Sequence, residues 1–174
     1  NYATTIGADN KLNIGLIGNL NKLEIKEVHN GNLNPYTFFS GFSQAYLEAA
    51  APDYKFGLNL GYTRKKFNAN VTLTKFSEVQ LQDFQWVDAP PTTKAEADAL
   101  YLTATDTYNS LITTDLSLSY KFSDKISLTL GANKLFNVYP TPQFDGWTDQ
   151  GGLADSVQMG SDGAYYFTRI SFNL

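Results

Sequence analysis

The sequence contains seven segments in which apolar and polar side chains alternate. In the last of them, alternate residues counted back from Leu174 form a largely apolar face, and Asn173, Ser171 and Arg169 lie on the polar face between. A period of two is typical of a β-strand with one apolar side, and about ten residues let a tilted strand cross a bilayer. The segments cover 2–6, 12–21, 54–63, 67–74, 112–122, 126–133 and 163–174. The pattern predicts an all-β fold, an antiparallel transmembrane β-barrel whose second face lines a wet or plugged lumen.

The connections between these segments alternate between short and long. Tight turns are predicted at 8–11, 64–66 and 123–124, and long connections near 22–53, 81–108 and 136–162. This alternation is typical of outer-membrane barrels, whose short turns are periplasmic and whose long loops are extracellular. By the same parity, the final strand ends on the side of the short turns. Two of the long connections contain predicted helices, near 43–50 and 93–102.

Seven strands are an unexpected number for a closed barrel. Bacterial single-chain barrels have even strand counts, and an open sheet would leave two unpaired edges in lipid. We therefore expect the chain to be part of a larger barrel, because the long connections contain no further convincing alternating segment. The chain also begins at Asn1 without an initiator Met or a signal segment, which favours a mature form or a fragment.

Composition removes several classes of protein. The net charge is -4, with 13 Lys and Arg against 17 Asp and Glu, whereas nucleic-acid surfaces are basic. The absence of cysteine excludes disulfides and thiolate metal sites. No apolar run approaches the roughly 18 residues of a spanning helix, so a helical membrane protein is excluded.

Two stretches near the C-terminus resemble a known family. Residues 131–140, which read GANKLFNVYP, resemble the penultimate-strand motif of TonB-dependent outer-membrane transporters, a Gly-x-x-Asn-Leu-Phe-Asp/Asn element followed by Tyr. Lys134, between Asn133 and Leu135, departs from the tighter form of the motif by one residue. In this family an aromatic-rich last strand follows, as in 165–172, and the stretches 43–62 and 66–79 are similar to its late strands. The sequence resembles in particular the members of this family from Bacteroidota-like bacteria.

The resemblance implies a 22-stranded barrel closed by an N-terminal plug. Residues 1–174 would be its C-terminal part, about the last seven strands, and the plug is absent from this chain. The implied function is active import across the cell outer membrane of a Gram-negative bacterium, with energy from the TonB complex and a siderophore, haem, a metal chelate, cobalamin or a glycan as the nutrient. The implied partners are the rest of the barrel and the plug, the TonB complex through that plug, the barrel-assembly machinery, outer-membrane lipid and a surface lipoprotein. The alternatives are a small complete outer-membrane barrel with a structural or adhesion role, and a soluble β-sandwich.

Catalysis finds little support in the sequence, and we expect no enzyme, cofactor or metal site. His29 is the only histidine and lies in a predicted loop. Asp145, Asp149, Asp155 and Asp162 share a Gly-rich loop, but their spacing matches no EF-hand, so solvation is favoured over Ca²⁺ binding.

Aromatic residues in the long connections are the better candidates for ligand contact, because a rigid ring can stack on a ligand. The alternative is that these rings pack the loops against one another. The candidates are Trp86, Tyr101, Tyr108, Phe144 and Trp147, with Trp147 and Trp86 foremost.

The terminal strand carries a second functional hypothesis. Its alternating apolar residues resemble the C-terminal signal that the barrel-assembly machinery reads, although a Leu stands at the end where Phe is usual. Strand addition explains such recognition, because an exposed edge pairs with another edge and alternate side chains set the register. The residues of this proposed signal are Tyr166, Ile170, Phe172 and Leu174.

Overall fold

A computed structural model describes residues 1–7, 9–39, 41–82, 89, 91–142 and 159–173. Within this part the chain forms nine strands and three short helices. The strands are β1 (Tyr2–Ile6), β2 (Asn10–Leu20), β3 (Tyr54–Arg64), β4 (Phe67–Phe76), β5 (Val79–Gln82), β6 (Thr105–Tyr108), β7 (Leu111–Lys121), β8 (Ile126–Asn133) and β9 (Tyr165–Phe172). The helices are α1 (Pro35–Phe38), α2 (Gly41–Glu48) and α3 (Lys94–Ala104).

Seven of the strands form one sheet in the order β1-β2-β3-β4-β7-β8-β9, and all of its pairings are antiparallel. Neighbours in the sequence are therefore neighbours in the sheet, and β1 and β9 are its two edges. The longest strands have 11 residues. At about 3.4 Å per residue and a tilt of 35–45° they rise roughly 26–31 Å, enough for the apolar band of a membrane barrel. The predicted antiparallel sheet of seven strands is confirmed.

The register keeps the apolar residues on one face across the whole sheet. One row of paired positions runs through Tyr2, Ile14, Leu60, Val71, Leu116, Ala132 and Tyr166. The adjacent row, on the opposite face, runs through Ala3, Asn13, Gly61, Asn70, Ser117, Gly131 and Phe167. A slip of one residue at any pairing would exchange the two faces. The observed register therefore puts the apolar residues of neighbouring strands on the same side of the sheet.

Side-chain hydrogen bonds cross between strands on the polar face. The amide of Asn59 donates to the Thr72 hydroxyl (2.9 Å), and the hydroxyls of Ser119 and Thr129 lie 2.8 Å apart. These pairs link β3 to β4 and β7 to β8. The second face is therefore a polar surface with hydrogen bonds between strands, as suits the wall of a wet lumen.

Neither face of the sheet is covered by another layer within the described residues. Leu16 and Ile17 are consecutive residues of β2 that point to opposite sides, and their exposed fractions are 72% and 74%. A soluble sandwich would bury one of them against a second sheet. The arrangement is that of a barrel wall. Separately, no helix among the described residues is long and apolar enough to cross a membrane.

The short turns and long connections fall where the sequence predicted them. Lys65 and Lys66 alone join β3 to β4, and Lys65 has a positive φ of 52°, a conformation uncommon outside glycine. The predicted helices form as α2 and α3. The sequence did not reveal α1 or the two-stranded ladder of β5 and β6, because segments of four residues are too short to display a period.

We predict that the two faces respond differently to charge. Val71 lies at the middle of β4 on the apolar face, and Thr72 lies on the polar face opposite Asp115 of β7. In the full-length protein, Val71→Arg should lower the free energy of unfolding in lipid vesicles by about 2–4 kcal/mol. Thr72→Arg is the matched control and should cost clearly less, because the new cation faces the lumen and a carboxylate. Equal costs, or the reverse order, would show that the faces are assigned wrongly.

Candidate functional site at the long-loop end

The long connections come together at one end of the sheet. β5 and β6 extend the β4–β7 pair beyond the sheet, since only two residues separate β4 from β5 and β6 from β7. The backbone N–H of Gln80 in β5 donates to the carbonyl of Ala49 (2.9 Å), just after α2. The N–H of Ser77 donates to the carbonyl of Tyr54 (3.0 Å) at the start of β3. The first two long connections are thus joined by backbone hydrogen bonds.

The small buried core of the described chain lies mainly at this end. Tyr108 and Val79 are opposite each other in the β5–β6 ladder, and only 1% and 2% of their surfaces are exposed. Leu81 packs against them, and Ala50, Phe76 and Met159 are also buried. The described parts of the long connections therefore have a small packed interior.

Among the predicted ligand-contact residues, Tyr108 is the one whose side chain is described. Its ring is buried against Val79 and Leu81 of the same long connection, so only 1% of its surface is available to a ligand. Tyr101 lies on the backbone of α3, and its side chain is not described. Trp86, Phe144 and Trp147 lie outside the described residues, as do Asp145, Asp149 and Asp155.

A capping box fixes the start of α3. The Thr93 hydroxyl accepts from the backbone N–H of Glu96 (3.3 Å). The Glu96 carboxylate in turn accepts from the N–H groups of Thr92 (2.8 Å) and Thr93 (3.2 Å) and from the Thr92 hydroxyl (3.1 Å). This reciprocal arrangement satisfies amides that a helix start leaves without partners. The pKa of the Glu96 carboxyl lies below its ordinary value. The largest cause is the hydrogen bond from the Thr92 N–H, and the second is the hydrogen bond from the Thr92 hydroxyl.

Glu96 should therefore make the helix start sensitive to acid. A lowered folded-state pKa contributes stability above the unfolded pKa, and this contribution is lost as the pH falls through the folded pKa. In the full-length protein, the NMR titration midpoint of the Glu96 carboxyl should lie lower in the folded state than in the urea-unfolded state. Amide exchange at Thr92 and Thr93 should accelerate as the pH falls through that folded midpoint, after correction for the intrinsic rate. Identical midpoints in both states would contradict the capping role.

The residues that follow β8 hold the base of the third long connection. Lys134 and Asn137 both have positive φ, 48° and 55°. The N–H of Leu135 donates to the carbonyl of Thr114 (2.8 Å), and the N–H of Lys134 donates to the Asp115 carboxylate (2.9 Å). The chain thus turns sharply after β8 and is bonded to β7. The Asp115 carboxylate caps this turn.

The same segment binds the far end of the connection. The Lys134 ammonium donates to the carbonyls of Gly160 and Asp162, and the Asn137 side chain accepts from the N–H of Ala164 (2.8 Å). A side chain at Gly163 would place its Cβ 2.1 Å from the Tyr139 hydroxyl. Residues 134–139, within the motif noted in the sequence, therefore form a clamp that joins the two ends of the loop. Lys134, the departure from the family pattern, makes contacts in this clamp.

We predict that Gly163→Ala loosens the clamp. The new methyl group would meet the Tyr139 ring and the Asn137 side chain, so one of them must move. In the full-length protein, amide exchange of Ala164 should accelerate, because its hydrogen bond to Asn137 is lost. Gly160→Ala is the matched control, since the nearest atom to its Cβ is 3.8 Å away. An equal effect of the two substitutions would contradict the steric explanation.

The terminal strand β9 has a partner on one side only. Tyr166, Ile170 and Phe172 pair with Ala132, Leu128 and Ile126 of β8. These three proposed signal residues lie on the apolar face and are 64%, 58% and 69% exposed. Leu174 lies outside the described residues. Among the described residues, β9 therefore pairs with β8 alone and carries an exposed row of apolar side chains; the assembly signal stays a prediction.

Other groups at the loop end give no sign of metal chemistry. The exposed His29 ring lies 3.7 Å from the Glu27 carboxylate. Within the ranges that the structure describes, no group of three or more His, Cys, Asp or Glu side chains could hold a metal ion.

Comparison with solved structures identifies the architecture. The chain is similar to the siderophore receptor PirA from Acinetobacter baumannii, with 17% identity, a TM-score of 0.52, and coverage of 98% of this chain and 20% of that one. It is also similar to a variant of the ferric enterobactin receptor PfeA from Pseudomonas aeruginosa, with 15% identity, a TM-score of 0.51, and coverage of 98% and 21%. The chain thus spans about a fifth of the length of these receptors. No protein-family model matches the sequence, and neither does any curated protein. At this identity the likeness establishes the fold, an all-β barrel segment.

Proposed function

We propose that residues 1–174 are the C-terminal part of a TonB-dependent outer-membrane transporter. In this proposal the seven-stranded sheet is the last part of a 22-stranded barrel, and the plug and the TonB-contacting segment belong to sequence upstream. The whole protein imports a scarce nutrient across the outer membrane, and the TonB complex supplies the energy. The chain itself contributes barrel wall and three extracellular loops.

The observation that carries this proposal is the sheet, whose two faces are uncovered and whose two edges are unpaired within the described residues. Such a sheet is not stable alone in lipid, since unpaired backbone groups cost several kcal/mol each there. Further strands must pair with β1 and β9. Nearly all of this chain corresponds to about a fifth of each receptor of similar fold. In this proposal, those further strands belong to the part of the protein that corresponds to the rest of the receptor. A small complete barrel would have to close β9 against β1 directly.

The loop end supports a role in ligand capture, and the substrate is proposed as a class. Both solved neighbours are named as receptors for siderophores or a ferric siderophore, which makes a metal chelate the first substrate to test, ahead of haem, cobalamin and glycans. Trp86 and Trp147 remain our candidates for stacking on the ligand. Tyr108 is the least suited of the candidates, because its ring is buried against Val79 and Leu81. The Bacteroidota-like style of the sequence stays a prediction.

The gene and its product provide the decisive test. We expect the intact product to contain, upstream of Asn1, a plug and a barrel segment several times the length of this chain. A start codon and signal peptide immediately before Asn1 would instead favour the small complete barrel.

Uptake measurements test the activity itself. Cells that carry the full-length gene should accumulate a labelled ferric chelate, and deletion of TonB should abolish the uptake. Trp86→Ala and Trp147→Ala should each weaken binding by about 2- to 12-fold, the range expected for a lost aromatic contact. Phe122→Ala, at the opposite end of the sheet, is the control and should leave binding unchanged. Uptake that persists without TonB would contradict the proposal.

A further inference from the structure

The charges of the chain are separated between the two ends of the sheet. The end with the short turns is basic, although the chain as a whole has a net charge of -4. Its cations are Lys11, Arg64, Lys65, Lys66, Lys121 and Lys125, and its acidic residues are Asp9 and Asp124. Most of the remaining acidic residues lie in the long connections. The two ends therefore attract opposite kinds of partner.

One of these cations occupies the apolar face itself. Arg64 is the last residue of β3 and pairs with Phe67 of β4, which in turn pairs with Tyr120 of β7. All three positions belong to the apolar face, and Arg64 is exposed. An arginine on the lipid side costs about 2–4 kcal/mol at the midplane of a membrane but only about 0–1 kcal/mol at the interface. The register places Arg64 at the short-turn limit of the apolar face, which in a membrane-spanning barrel is the level of the lipid headgroups.

Aromatic rings mark the same level. Tyr120 and Phe122 meet edge to face with centroids 5.2 Å apart, and the rings of Tyr62 and Phe67 lie 6.5 Å apart. Tyrosine and related rings collect where hydrocarbon meets headgroups. Rings and cations therefore occur together on the outward side of the short-turn end.

An open cleft lies between two neighbouring turns at this level. Its volume is about 400 Å³, and its lining consists of Arg64, Lys65, Lys66, Phe67 and Tyr120. The Lys66 ammonium donates to the carbonyl of Phe122 (3.0 Å), and the N–H of Lys121 donates to the carbonyl of Lys66 (2.9 Å). Two hydrogen bonds therefore join the turns beside the cleft, one from the Lys66 side chain and one between backbone groups.

The charge inside the cleft is only partly balanced by the protein. Lys65 lies 3.5 Å from the Asp9 carboxylate at the exposed surface. In the described ranges, no ion pair within 4 Å involves Arg64 or Lys66. Cations above aromatic walls complement a phosphate joined to an apolar tail, since the phosphate takes the charge-assisted hydrogen bonds and the rings contact glycerol and the first methylenes.

We propose that this cleft binds the phosphodiester headgroup of an anionic phospholipid in the membrane leaflet at the short-turn end. The inference rests on the proposed function only in that it requires the barrel to span a membrane. The acidic balance of the long connections opposes such binding at the other end. The site would anchor the rim of the barrel at a fixed depth.

Lipid titration of the full-length protein in neutral detergent tests the proposal. Native mass spectrometry would count bound dihexanoyl phosphatidylglycerol, with dihexanoyl phosphatidylcholine and inorganic phosphate as the comparison ligands. We expect phosphatidylglycerol to bind at least tenfold more tightly than either. The double variant Arg64→Gln with Lys66→Gln should lose about tenfold or more of that affinity, because each interfacial cation contributes appreciably to binding anionic lipid.

Two control variants distinguish binding in the cleft from non-specific attraction of the anionic lipid to cations elsewhere on the protein. Lys22→Gln with Lys26→Gln removes two cations at the long-loop end and should change the phosphatidylglycerol affinity less than twofold. Arg64→Lys keeps the charge and should keep the affinity within about threefold. Equal binding of the two lipids, equally tight binding of inorganic phosphate, or an equal loss in the Lys22 and Lys26 variant would overturn the proposal. Failed chelate uptake by wild-type protein that still binds phosphatidylglycerol would overturn the transport function alone.

Discussion

The alternation of side chains across the antiparallel ladder is the constraint on which the rest of the structure depends. Because the period of a strand is two, each pairing must match apolar residues with apolar residues or the whole face is inverted. The row from Tyr2 to Tyr166 meets this condition through all seven strands. Within the described residues, the barrel wall thus contains almost no core of its own, and under the proposed function lipid on one side and a filled or wet lumen on the other complete it.

Packing is instead concentrated beyond the wall, where the loops meet. Tyr108 and Val79 form the buried centre of the β5–β6 ladder, and the clamp of residues 134–139 closes the base of the last long connection. The β5–β6 ladder is stabilised by apolar burial. The clamp is stabilised by side chains that bind backbone groups. Within the described residues, these interactions fix the β5–β6 ladder and the two ends of the last long connection.

The short-turn end is organised by electrostatics rather than by burial. Arg64 stands at the limit of the apolar face, beside rings that favour the interface. The two ends of the sheet therefore differ in chemistry. One end presents packed loops with an acidic balance, and the other presents tight turns with a basic balance suited to phosphate.

The sequence by itself determined the seven strands of the main sheet, their faces and the alternation of short and long connections, because these depend on local periodicity and on turn length. It also indicated α2 and α3 and the family resemblance carried by residues 131–140. Only the tertiary structure decided that Tyr108 is buried, that Lys134 and Asn137 clamp the loop, and that Arg64 shares a cleft with Tyr120. These facts depend on contacts between residues far apart in the chain, such as Tyr108 with Val79, and a linear pattern does not encode which ring or cation a distant strand will bring alongside.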